Sequence, residues 1–129
     1  MLNQTGIAKV TGSAPVQILF NMQNQMSVGV KIAKNFAGAV TENGRKIVKA
    51  GTPLTGDLTA RGTSFTAAGA DDAVGILLHD VDVTDNDANC SLLIWGFVNL
   101  DRIDTTTAAK INSGVKTALA GKVWFLKEN

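Results

Sequence analysis

The chain has 129 residues, a formal charge of +1, 45% apolar residues and 18% charged ones. That length suits one domain with a modest core, and the apolar share excludes disorder throughout. Lysines and acids are scattered with no basic block, which excludes a footprint for nucleic acid, and no run of 18 apolar residues exists to cross a membrane as a helix.

Residues 1–15 are mostly small and polar, with Gly6, Gly12 and Ser13 ahead of Pro15. They read as an arm with little core of its own, and they lack the continuous apolar stretch of a signal peptide. The protein is therefore expected to be cytoplasmic when made. From Val16 the period is two: Val16, Ile18, Phe20 and Met22 share one face, with Leu19 breaking the pattern. Val28, Val30 and Ile32 then alternate with Ser27, Gly29 and Lys31. Both segments predict half-buried strands. Asn43-Gly44 between two β-prone runs predicts a tight hairpin, because both central residues of that turn need positive φ.

Pro53 removes a ladder donor and belongs at a strand start or an edge. Thr55 to Asp72, with Gly56, Gly62 and Gly69, predicts a long surface loop holding one short strand around Ser64-Phe65-Thr66. Ala73 to Leu78 is a continuous apolar run and predicts a central strand, which His79 to Val83 continues with alternation. Asp85 to Asn89 is a turn cluster. Ser91 to Leu100 is the most β-prone segment, and Gly96 inside it marks a bulge or a close backbone approach. One helix is predicted over Thr106 to Ala120, capped by Asp104 or Thr105. It has an Ile111, Val115, Leu119 stripe and Gly121 as its C-terminal cap. Val123 to Leu126 is a last strand. The fold class is mainly β with a single helix near the C-terminus.

Little in this chain points to catalysis. Cys90 is the only cysteine and His79 the only histidine. One cysteine excludes an intrachain disulfide and a Cys-rich zinc site, and Cys90 reads as a semi-buried structural thiol rather than a nucleophile paired with His79. Asp85-x-Asp87-x-Asn89 opens like a calcium loop, but Cys90 replaces the glycine of the sharp turn and Gly96 replaces the closing glutamate. Asp80 and Asp82 alternate with Val81 and Val83 and read as the polar face of a strand. No Gly-x-Ser-x-Gly, phosphate loop or HExxH is present. Neither a cofactor nor a metal is expected. Trp95 and Phe97 share a strand face, whereas Trp124 and Phe125 lie on opposite faces. With no basic residue near Trp95 before Arg102, these aromatics read as core or subunit interface rather than a base-stacking platform.

From Thr52 onward the order of features resembles the small head-decoration proteins of lambda-like tailed phages. Thr52-Pro53-Leu54 comes first, then a Gly/Thr/Ala-rich loop, then Ala73-Val74-Gly75-Ile76-Leu77. A turn and an apolar strand ending in Trp95-Gly96-Phe97 follow, and Lys116 to Gly121 runs into the final strand. The resemblance covers residues 52–129, with short motifs whose shared order carries it. Gly96-Phe97-Val98-Asn99-Leu100-Asp101-Arg102 is also similar to a stretch of phage head fibre proteins. Residues 1–48 depart from the family, being longer and richer in β-prone sequence than its arm.

Membership would imply a compact β-barrel or β-tulip-like domain over 49–129, preceded by an arm and hairpin over 1–48. It would imply a homotrimer on the local three-fold axes of a mature capsid, outside the shell in the virion. The partner would be the major capsid protein, with neither nucleic acid nor membrane bound and no enzymatic activity. Leu2, Ile7, Val10 and Val16 would then dock the arm on the capsid. Pro53, Leu54, Val74, Ile76, Trp95, Phe97 and Trp124 would form the core and the trimer contacts. The alternative implied by the head fibre stretch is a module that binds host-surface glycans.

Overall fold

The computed structural model describes residues 17–19, 25–69 and 71–127. Strands dominate: β1 (Met26–Ile32), β2 (Val40–Glu42), β3 (Arg45–Val48), β4 (Pro53–Thr55), β5 (Ser64–Ala67), β6 (Gly75–Leu77), β7 (Val81–Asp82), β8 (Ala88–Asn99) and β9 (Val123–Leu126). Six of them form one sheet in the order β1-β5-β4-β6-β8-β9, and β1 also pairs with β8. The sheet therefore curls until β1, β5, β4, β6 and β8 close on one another, which leaves β9 as an added strand. A second sheet of order β2-β3-β7 stands beside it. The mainly β class read from the sequence is the fold observed.

Two apolar clusters explain why some strands are apolar on one face and others on both. One fills the inside of the curl: Val30, Ile32, Val48, Leu54, Phe65, Leu77 and Leu92 are among its members. The other lies under the C-terminal helices and includes Ile76, Leu93, Val98, Ile111, Val115, Leu119 and Val123. Strand β6 sits between them, so Gly75, Ile76 and Leu77 are all buried. That is the physical origin of the continuous apolar run. By contrast β1 has one wet face, and its alternation of Val28, Val30 and Ile32 with exposed or half-exposed partners follows.

Local chemistry fixes several joints. The β2–β3 turn has Asn43 at φ 52 and Gly44 at φ 77, the two left-handed residues that a tight hairpin needs. Pro53 begins β4 and pairs with Ile76, where its missing donor is harmless. The short strand predicted around Phe65 is β5, which closes the curl by pairing Ile32 with Phe65 in parallel.

Two expectations are corrected. The strand after Leu78 does not continue. His79 and Asp80 are exposed, and the chain turns into β7, which pairs with β3 in the other sheet. Asp80 fixes that turn by accepting the Ala50 N–H at 2.8 Å. The single helix is instead two: α1 (Thr105–Ala108) and α2 (Ser113–Ala118). Asp104 caps the first, as expected. Asn112 then restarts the helix by accepting the Val115 N–H at 3.0 Å. Ile111, Val115 and Leu119 still face the core, so the apolar stripe survives the break. Among the described residues, strand pairing runs across the expected boundary between residues 48 and 49. Strand β1 has β5 and β8 as neighbours, and β3 has β7. Of the strand expected over 16–22, residues 17–19 are described, and there Leu19 makes an isolated bridge to Val98; Val16, Phe20 and Met22 lie outside the described residues.

Candidate functional site: an exposed aromatic corner

The longest strand carries the site, and one extra residue in it decides which way the aromatics point. Ser27 pairs with Leu93 but Met26 pairs with Trp95, so β8 advances two residues where β1 advances one. This is the β-bulge that Gly96 signalled. Gly96 sits at φ 155, and a side chain there would press on Gln25 Cβ and Leu93 Cδ1, each 3.1 Å away. The bulge reverses the alternation. Leu93 and Val98, five residues apart, both enter the helix-side cluster, which an unbroken strand of period two cannot achieve. Trp95 and Phe97 are thereby sent to the opposite face, past the edge of the inner cluster.

Strand β9 completes the corner. It runs parallel to β8 and sets Trp124 opposite Phe97. Val123 and Phe125 turn toward the helix-side cluster, so Trp124 and Leu126 face out. Trp124 stacks on Phe97 with ring centroids 5.1 Å apart and planes 20° from parallel. Trp95 meets both rings edge-on, at 5.9 Å from Trp124 and 6.1 Å from Phe97. Such pairs contribute about 0.5–1.5 kcal/mol each beyond area burial. Even so, Trp95 is 40% exposed, Trp124 38%, Leu126 37% and neighbouring Met26 56%. Large apolar side chains clustered and left in water mark a contact surface.

The other expected site residues lie elsewhere. Pro53, Leu54 and Ile76 are buried and Val74 is half-buried, away from any outer face. Leu2, Ile7, Val10 and Val16 lie outside the described residues. The sequence placed Trp95 with Phe97 on one face and separated Trp124 from Phe125. It did not reveal that Trp124 joins the first pair, because β9 lying parallel to β8 leaves no local signal.

The titratable groups are used for holding strands together. Cys90 on β8 points its thiol at the Val30 carbonyl, 3.7 Å away, and burial pushes its pKa up to about 11. At neutral pH it is a protonated thiol rather than an attacking thiolate. The acids of the 80–87 segment are distributed among bases. Arg45 binds Asp82 at 2.8 Å and Asp85 at 3.1 Å, Lys49 binds Asp80 at 3.3 Å, and Lys31 binds Asp87 at 3.5 Å. Asp87 also accepts the Lys34 N–H at 2.9 Å. Among the described residues no group of three or more His, Cys, Asp or Glu is arranged to hold a metal ion. No helix there is long and apolar enough to cross a membrane.

The Asp82 clasp carries a testable pH dependence. Hydrogen bonds from Arg45, then from the Thr84 hydroxyl and amide, hold its pKa down from 3.8 to about 2. A depressed carboxylate stabilises the fold above its ordinary value, and that contribution is lost as pH falls through the folded value. Asp82→Asn should therefore lower the thermal midpoint at neutral pH and flatten the part of the midpoint-against-pH curve between about 4 and 2. A variant with the same acid slope as the parent would rule the clasp out.

The sequence matches no protein-family model, and no curated protein is significantly similar to it.

Proposed function

We propose that this chain is a structural binding protein that cements the outside of a tailed-phage capsid as a trimer at local three-fold axes. The aromatic corner is the observation that carries the reading. A small domain that leaves two tryptophans, a methionine and a leucine in water on one rigid sheet is shaped for contact with another surface. The chemistry of the described residues supports it. Asp80, Asp82, Asp85 and Asp87 are held in ion pairs with Lys49, Arg45 and Lys31, and the thiol is kept protonated. The ordered likeness of residues 52–129 to lambda-type decoration proteins supplies the partner, the major capsid protein.

In this reading the protein adds contacts that resist pressure from the packaged genome. A segment ordering against a capsid sheet edge from each of three protomers multiplies weak binding through effective concentration. Residues 1–14, with Leu2, Ile7 and Val10, are the proposed capsid-docking arm. The test is co-sedimentation of the purified protein with expanded capsids stripped of their outer proteins. Full-length protein should sediment with them, and protein lacking residues 1–14 should keep its fold and mass but stay in the supernatant. Unchanged sedimentation of the truncated protein would refute the arm.

The exposed tryptophans favour one second reading, an adhesion module, because a glycan ring stacks on just such faces. Against it, the exposed 57–63 loop contains no aromatic residue and the chain has no tyrosine. Retention on host wall polysaccharide that is lost in Trp95→Ala, with no binding to capsids, would establish that reading instead.

A further inference from the structure

We infer that the aromatic corner and the outer edge of β9 are where copies of this chain meet. This deepens the trimer reading and rests on it, by naming the contact surface and its occupant. Two independent features of β9 converge. Among the described residues it pairs only with β8, and no described strand lies along its outer edge. Edge strands are ordinarily guarded by lysine, proline, a bulge or a covering segment. Val123-Trp124-Phe125-Leu126 has no charge, no proline and no bulge.

The second feature is the absence of charge across the corner itself. Gln25, Met26, Trp95, Phe97, Trp124 and Leu126 include no ionisable side chain. Around a symmetry axis each residue approaches its own copies, so a charge there would face its own sign; an uncharged, aromatic centre avoids that repulsion. The area is of the right order. Taking about 200 Å² for each large side chain, the exposed parts of Met26, Trp95, Trp124 and Leu126 amount to roughly 350 Å². A standard contact buries about 800 Å² per partner, of which about 65% is apolar when the partners are identical. The corner thus supplies most of the apolar centre of one such contact, with the β9 edge and its polar surroundings left to complete it.

The experiment measures the solution mass of the full chain by light scattering over a concentration series, with tryptophan emission read on the same samples. Association with a blue shift in emission is the expected result, the mass tending to three times 13.5 kDa. Trp124→Glu should weaken association at least tenfold. Met26→Glu, on a different strand and at the most exposed position of the corner, should do the same, with far-UV circular dichroism confirming that each variant is folded. A parent chain that stays monomeric overturns the inference. So does a parent that associates while both variants associate equally well, in which case the trimer stands and this face is not its contact. Variants that associate normally but no longer sediment with capsids would also overturn it, because the capsid protein would then be the occupant. A parent trimer dispersed by both substitutions, yet unable to sediment with capsids, would uphold the inference and refute the capsid reading alone.

Discussion

Gly75→Ala should cost about 3 kcal/mol of stability or more, an unusually large penalty for one methyl group. Gly75 opens β6, the strand buried on both faces. A Cβ there would lie 2.6 Å from Leu92 Cγ and 2.6 Å from the Leu93 carbonyl oxygen. The leucine side chain has alternative rotamers. The carbonyl does not, because Leu93 is paired with Ile76 on one side and with Ser27 on the other. Relief therefore requires β6 and β8 to separate, at the place where the two apolar clusters are divided. The matched control is Gly29→Ala. A Cβ at Gly29 meets nothing within 4 Å, and its strand face is exposed. Reducing the freedom of the unfolded chain should leave that variant neutral or up to about 1 kcal/mol more stable. Chemical denaturation of the pair decides the matter. Equal midpoints would mean that β6 and β8 are not packed as described.

The second large effect is at Phe65, where replacement by alanine should cost about 3–5 kcal/mol. Phe65 is 1% exposed, and among the described residues its strand β5 links β1 to β4 in the curl. Its ring fills the space against Gly56, whose hypothetical Cβ would stand 2.6 Å from Phe65 Cδ2. The two positions should consequently be coupled. Gly56→Ala is expected to be strongly destabilising in the parent and close to neutral once Phe65 is alanine, since the ring it collides with is gone. Additive effects in a double-mutant cycle would show that Phe65 does not cover Gly56.

These two sites also show why burial in this chain comes from closure and not from strand length. Most strands are of four residues or fewer, and β1 and β8 are the exceptions. A two- or three-residue strand makes few ladder bonds. The three-residue strands β4 and β6 are held because each has a neighbour on both sides and its side chains enter a filled cluster. Removing a large side chain from one short strand therefore weakens several pairings together.

Much of the local architecture was legible because it rests on short-range chemistry. Asn43-Gly44 demanded positive φ and became the hairpin turn. Asp104 offered an N-cap acceptor and capped a helix. The period-two pattern of Val28, Val30 and Ile32 survived because only one face of β1 meets the core. Pro53 could begin a strand and did, and Gly96 marked the irregularity in β8. The run of period-two and β-prone segments was enough to set the mainly β class.

What the sequence did not determine is what depends on distant neighbours. The break of the expected helix over 106–120 into two is an exception: it is made locally, by Asn112 accepting the Val115 N–H three residues on, and the apolar stripe shared by both readings hid it. The exit of residues 79–83 into a second sheet depends on Asp80 finding the Ala50 N–H, thirty residues away in the chain. Above all, the corner of Trp95, Phe97 and Trp124 required three non-local events: a register shift against β1, the reversal of alternation that it causes, and the parallel addition of β9. Alternation along a strand tells which residues share a face. Only the tertiary structure decides which of those faces is covered, because covering depends on segments that the chain brings back from far along its length.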